Sequence, residues 1–285
     1  MPAGNFSLIK ELQIFKKEYQ KTKRPSDASF VVFDNLVRRL SRDFGDSITM
    51  KRMPQHLFYV AKIIQKILVA EKVSVNETKN GIAAALLHDV GYLIVQNRYQ
   101  IDREFQKKEV REAHMKAGAQ YARKILKTDP FRRWFNARDI KIISDIIAVH
   151  DYPSLPKRGG VKGRPLNLNN KLSYFLREAD RLWMTSKYGF MYDLQRMEKG
   201  AGAQVAQKLF DHISKRYQEE KALYKDDGQF KGGTLFRSPE SWIIFLKQKR
   251  ALDKKYRLNF LSSPRKRGSR KQTNCISLDS RSSRE

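Results

Sequence analysis

The sequence predicts an all-α protein, a helical bundle with extra helices at its N- and C-terminal ends. Apolar residues recur at three- and four-residue intervals through most of the chain, while the strict alternation of a half-buried strand is scarce. The 285 residues are 40% apolar and 11% aromatic, enough to bury a sizeable core despite a low mean hydropathy.

Helices are expected near 7–22, 27–44, 55–72, 77–89, 104–127, 138–150, 169–186, 201–224 and 238–257. Asn76 or Thr78 is placed to cap the fourth, and Gly91 suits its C-terminal stop. Ser238-Pro239-Glu240 reads as an N-cap followed by proline in the first turn. Two long connections interrupt the pattern. Residues 152–168 hold three prolines, three glycines, four Lys/Arg and no acid, and residues 226–237 are a second irregular stretch. Residues 259–285 are polar and basic, with little apolar surface to offset ordering entropy, and read as a disordered tail. The expected organisation is an N-terminal helical extension over 1–50, a main domain with its C-terminal helices over 51–258, and that tail.

One cysteine, Cys275, excludes an intramolecular disulfide and points to a reducing compartment. No run of about 18 apolar residues and no signal-type leader occurs, so a cytoplasmic protein without membrane spans is expected. The formal charge is +28; the last 24 residues contribute +5 of it, leaving +23 on the body. Such a field attracts anions, whether phosphorylated small molecules, nucleotides or nucleic acid. Solvated surface lysines alone would give the same total.

The ionisable residues on apolar faces carry more information. His56 shares a stripe with Val60, Ile63, Ile64 and Ile67. His88 and Asp89 follow Gly81, Ala84 and Ala85 on a packed face, and His114 lies with Val110, Gly118, Ala122 and Ile125. His150 closes a helix after Ile143, Ile146 and Ile147, and Asp180 sits between Leu176 and Trp183 or Met184. His212 has polar neighbours and reads as a surface residue. A lone histidine on an apolar face is usually a satisfied core residue, and a lone buried aspartate an ion-pair or capping group. Six such groups are harder to dismiss, because a buried charge is costly unless paired or metal-bound. Four imidazoles and two carboxylates are a ligand set that one or two divalent ions would accept.

The order His56, His88-Asp89, His114, His150, Asp180, with "LLHDVGY" and "READRL" as local signatures, resembles the HD superfamily of metal-dependent phosphohydrolases over roughly residues 51–186. The resemblance implies an all-α HD-domain helical bundle whose ligands meet in one cleft. His56, His88, Asp89 and Asp180 would hold a first ion. Asp89 would bridge to a second, completed by His114 and His150. The ions would be Mn, Fe, Co, Ni or Zn. The cyclic-dinucleotide phosphodiesterase branch has paired histidines and a Gly-Tyr-Pro string; here His150-Asp151-Tyr152-Pro153 stands instead. Asp151 is open to three readings: metal ligation, orientation of His150, or a helix cap.

The implied reaction is hydrolysis of a nucleotide or another phosphate ester by metal-activated water. Lys157, Arg158, Lys162 and Arg164, in the long loop after His150, are the candidates for phosphate binding. Arg177, one turn before Asp180, would bind phosphate or pair with a carboxylate. Two other readings are a di-iron HD-domain oxygenase and a non-catalytic module binding nucleic acid or an anionic signal. No nucleophile arrangement of Ser-His-Asp or Cys-His type is visible.

Overall fold

A computed structural model describes residues 27–44, 53–104, 107–151, 170–197, 203–221 and 236–256. All regular elements among them are helical: α1 (Asp27–Phe44), α2 (Pro54–Ala70), α3 (Val75–Leu87), α4 (Val90–Val95), α5 (Ile101–Glu104), α6 (Lys108–Ile125), a 3-10 turn (Phe131–Arg133), α7 (Ala137–Ile147), α8 (Lys171–Thr185), α9 (Lys187–Met197), α10 (Ala203–Lys221) and α11 (Pro239–Tyr256). The expected helix over 7–22, both long connections for most of their length and the C-terminal tail lie outside the described residues.

α3 is the central element. It is buried from Asn80 to Leu87 and packs against α1, α2, α7 and α8. A helix apolar on every side can only be stable where neighbours enclose it. Each leucine removed from water there, such as Leu86 and Leu87, contributes roughly 1.5–3 kcal/mol. α1 lays Val32, Phe33, Leu36, Val37 and Leu40 on this core, so the described part of the expected N-terminal extension, 27–44, packs against it.

Several helix ends differ from expectation. α3 is capped by Ser74, two residues before Asn76 and four before Thr78. The Ser74 hydroxyl accepts from the Glu77 amide at 3.2 Å, and the Glu77 carboxylate accepts from the Ser74 amide at 3.0 Å. This reciprocal pairing satisfies two amides that Asn76 or Thr78 would have left open. Asn76 instead donates to Asp139 on α7 at 2.8 Å, and the Thr78 hydroxyl donates to the Ser74 carbonyl at 3.0 Å. α7 is closed by an equivalent pairing of Asn136 and Asp139, and α8 by Asn170. α7 ends at Ile147, so His150 lies in the turn beyond it rather than closing the helix. At α11 the helix does start on Pro239, but the Ser238 hydroxyl donates to Glu71 at 2.8 Å instead of capping. The buried Glu178 of α8 ties down the approach to α11: its carboxylate accepts from the Ser241 hydroxyl at 2.7 Å and from the Arg237 amide at 2.5 Å. Burial nevertheless pushes this carboxyl up to about 7, against those donors.

Gly91 does not stop a helix. It lies inside α4, where a Cβ would come 1.7 Å from the His114 carbonyl oxygen of α6. Opposite it, a Cβ on Gly118 of α6 would sit 3.3 Å from the Gly91 nitrogen and the His88 carbonyl oxygen. Two glycines thus let α4 and α6 meet backbone to backbone. α9 is not among the helices expected from the sequence; its Phe190 is fully buried, whereas Tyr188 is 58% exposed. His212 is exposed, as its polar neighbours suggest. No helix among the described residues is long and apolar enough to cross a membrane.

The approach of α4 to α6 generates a prediction. Gly91→Ala should destabilise the fold by about 3 kcal/mol, the upper end of overpacking costs, since backbone rather than a flexible side chain must yield. Urea unfolding checks it; an unchanged midpoint would contradict the close approach.

Candidate metal centre

The six groups singled out in the sequence meet at one place. His56 comes from the first turn of α2, His114 from the middle of α6 and Asp180 from α8. His88 and Asp89 occupy the break between α3 and α4, where Asp89 has φ −97° and ψ 0° and ends the helical run. His150 reaches in from the turn after α7.

Their atoms form two lobes joined by Asp89. In the first, His56 Nε2 lies 3.0 Å from His88 Nε2, 3.1 Å from Asp89 Oδ2 and 3.3 Å from Asp180 Oδ1. His88 Nε2 is 3.5 Å from Asp89 Oδ2 and 3.7 Å from Asp180 Oδ1. In the second, His114 Nε2 and His150 Nε2 are 3.3 Å apart, and Asp89 Oδ1 is 3.2 Å from His150 and 3.7 Å from His114. His56, His88 and Asp180 of the first lobe are close enough to share an ion, and so are His88, Asp89 and His150, a group that takes one histidine from each lobe.

Backbone carbonyls settle which ring nitrogen is free. His88 Nδ1 meets the Ala85 carbonyl at 2.7 Å, His150 Nδ1 the Ile147 carbonyl at 2.7 Å, and His114 Nδ1 the Val110 carbonyl at 3.3 Å. A carbonyl can only accept, so each Nδ1 carries a proton, and each ring in its neutral form presents the Nε2 lone pair to the centre. Neutral His114 and His150 then set two lone pairs against each other at 3.3 Å. That pairing of neutral rings is repulsive unless a proton or a metal ion comes between the two nitrogens. The donor set therefore fits divalent ions that accept imidazole and carboxylate.

Burial grades the site. The side chains of His88 and His114 are fully buried and His150 is 1% exposed, forming the floor. His56, Asp89 and Asp180, at 14%, 17% and 12%, form the mouth. Tyr92 stacks on His114 with centroids 3.8 Å apart, and Trp183 meets His56 edge-on at 5.2 Å. Burial works against the imidazolium of His56, but hydrogen bonds to Asp180 and Asp89 overcome it and raise its pKa to about 10. Burial and the neighbouring His150 lower His114 to about 4. Burial would raise both carboxyls, yet the facing imidazoles hold Asp89 and Asp180 well below the usual carboxylate range.

The remaining sequence candidates fall elsewhere. Lys157, Arg158, Lys162 and Arg164 lie outside the described residues. Arg177 does not reach a cleft open to phosphate: it is 2% exposed, and its Nη1 donates to the carbonyls of Val149 at 3.1 Å and His150 at 3.0 Å. Those acceptors are backbone, so an arginine expected to face an anion instead ties down the turn that carries His150. Asp151 is paired with arginines: Arg111 Nε donates to its Oδ2 at 2.8 Å, and Arg181 Nη2 to its Oδ1 at 2.8 Å. Neither Arg111 nor Arg181 was singled out from the sequence. Their one available signal was position, three residues before His114 and directly after Asp180.

Residues 53–185 match a family model described as the HD domain. No curated protein and no solved structure matches the chain.

His56 must give up its proton before Nε2 can bind a metal. Its folded pKa is raised, so the proton is present at neutral pH and competes with the ion until pH approaches about 10. Metal affinity should therefore rise from pH 6.5 to 9, with proton release on binding. Calorimetry in two buffers of different ionisation enthalpy measures that release. Affinity that is flat with pH would contradict the His56 assignment.

Proposed function

The chain carries an HD domain over residues 53–185, and on that premise we propose that it is a metal-dependent phosphohydrolase acting on a nucleotide or another phosphate ester. The observation that carries the reading is the facing pair of Nε2 atoms on His114 and His150, with the Asp89 carboxylate reaching from them to the His56–His88–Asp180 lobe. Two clusters joined by one carboxylate favour two ions over one. His56, His88, Asp180 and Asp89 Oδ2 would hold the first, and His114, His150 and Asp89 Oδ1 the second.

Divalent ions held there would acidify a water and polarise a phosphoryl oxygen, which is the chemistry hydrolysis of a phosphate ester needs. The protein's own part is geometric and electrostatic. The carbonyls of Ala85, Val110 and Ile147 hold three imidazoles in the tautomer that leaves Nε2 free. Asp89 and Asp180, ionised across the neutral range, supply negative charge at the mouth. Tyr92 and Trp183 wall the imidazoles of His114 and His56 away from bulk water. Burial keeps the Tyr92 phenol protonated far beyond its ordinary range. The net charge of +28 would steer an anionic phosphorylated small molecule or nucleotide toward the protein. Lys157, Arg158, Lys162 and Arg164 are the cations proposed to meet its phosphate.

Protein supplied with Mn, Co, Ni or Fe should cleave a generic phosphomono- or diester, and His88→Ala or Asp89→Ala should reduce the rate to background. Elemental analysis of protein purified without oxygen should find one to two equivalents of transition metal. Oxygen uptake by the iron form, without ester cleavage, would replace hydrolysis by the oxygenase reading. Salt-sensitive nucleic-acid binding that survives both substitutions, with no metal found, would replace it by a binding module.

A further inference from the structure

We infer that Arg111, Asp151 and Arg181 form a charge-paired brace that positions His114, His150 and Asp180 for metal binding. The inference rests on the metal reading above and extends it to residues that touch no ion.

The three brace residues are sequence neighbours of three groups on three different elements. Arg111 lies one turn before His114 on α6, Asp151 directly follows His150, and Arg181 directly follows Asp180 on α8. Arg111 grips Asp151 through several bonds. Its Nε donates to Oδ2 at 2.8 Å, its Nη2 to the Asp151 carbonyl at 2.9 Å, and the same Nη2 to Oδ1. Arg181 then joins the remaining element: its Nη2 donates to Asp151 Oδ1 at 2.8 Å and its Nη1 to Asp180 Oδ2 at 2.9 Å. Asp180 therefore offers Oδ1 to the imidazoles of His56 and His88 while Oδ2 is held by Arg181. The Arg181 carbonyl in turn accepts from the Tyr217 hydroxyl of α10 at 2.5 Å.

His150 is the group that most needs such support. His56, His114 and Asp180 are fixed by helical backbone, and His150 is not. Its turn is pinned on both sides, by Arg177 at the carbonyls of Val149 and His150 and by Arg111 at the carbonyl of Asp151. A planar guanidinium bonding two or more acceptors fixes direction as well as distance, which a lysine ammonium does not. The three side chains are 13%, 14% and 8% exposed, so water screens the pairing little. Partly buried ion pairs are poor stabilisers compared with apolar residues of the same volume, so placement rather than stability is the gain a network here provides.

The test uses the full chain, titrated with Mn against a competing chelator, with the unfolding temperature of the metal-free form measured in parallel. Asp151→Asn should weaken the ion held by His114 and His150 about 10- to 100-fold, the range for residues that orient a ligand. The ion held by His56 and His88 should weaken less. Arg111→Lys keeps the charge and loses the fork, and should fall between Asp151→Asn and the unaltered chain. It also carries the comparison if Asp151→Asn does not fold. Wild-type protein that binds no ion overturns the metal reading and the brace with it. Wild-type protein that binds two ions, with folded variants unchanged in both affinities, overturns the brace alone. A lowered unfolding temperature with unchanged affinities also overturns it, as a merely structural pairing would behave that way.

Discussion

Two buried imidazole nitrogens facing each other 3.3 Å apart are the constraint from which the rest of this molecule follows. His114 and His150 each turn Nδ1 to a backbone carbonyl, so in their neutral forms neither can donate to the other. Asp89 stands beside them with one oxygen and reaches His56 with the second. Such an array is costly to bury without positive charge, and the elements around it are arranged so that it is buried nonetheless.

The helices that deliver it are built for close approach. Ala83, Ala84 and Ala85 precede His88 on a helix enclosed on all sides, and Gly91 and Gly118 remove the side chains that would separate α4 from α6. A break at Asp89 separates α3 from α4, and from it Asp89 reaches both lobes. Arginines then hold what helical backbone does not, the turn carrying His150 and the outer oxygen of Asp180. Packing, chain reversal and charge pairing thus converge on the same few ångströms.

Much of this was legible in the sequence, for an identifiable reason. Helical periodicity assigns each residue to a face, and it placed His56, His88, His114 and Asp180 on apolar faces where polar groups need a purpose. The all-α class follows from the same periodicity. Periodicity says nothing about pairs that form only in three dimensions, which is why it does not single out Arg111 and Arg181. It also assigned Arg177 to an anion although its partners are carbonyls that no sequence pattern marks. Gly91 was misread because a glycine after a helix and a glycine between two packed backbones look alike in one dimension. Ser74-x-x-Glu77 is a capping signal legible in the sequence, and it outcompetes Asn76 and Thr78 because it satisfies two amides at once.

If Asp89 stands between two metal ions, as proposed, anomalous diffraction from crystals of Mn-loaded protein, collected on either side of the metal absorption edge, should show two peaks about 3.5–4 Å apart, one beside His56, His88 and Asp180 and one beside His114 and His150, with the Asp89 carboxylate between them. No peak at this centre, with His114 and His150 still facing each other, would contradict it.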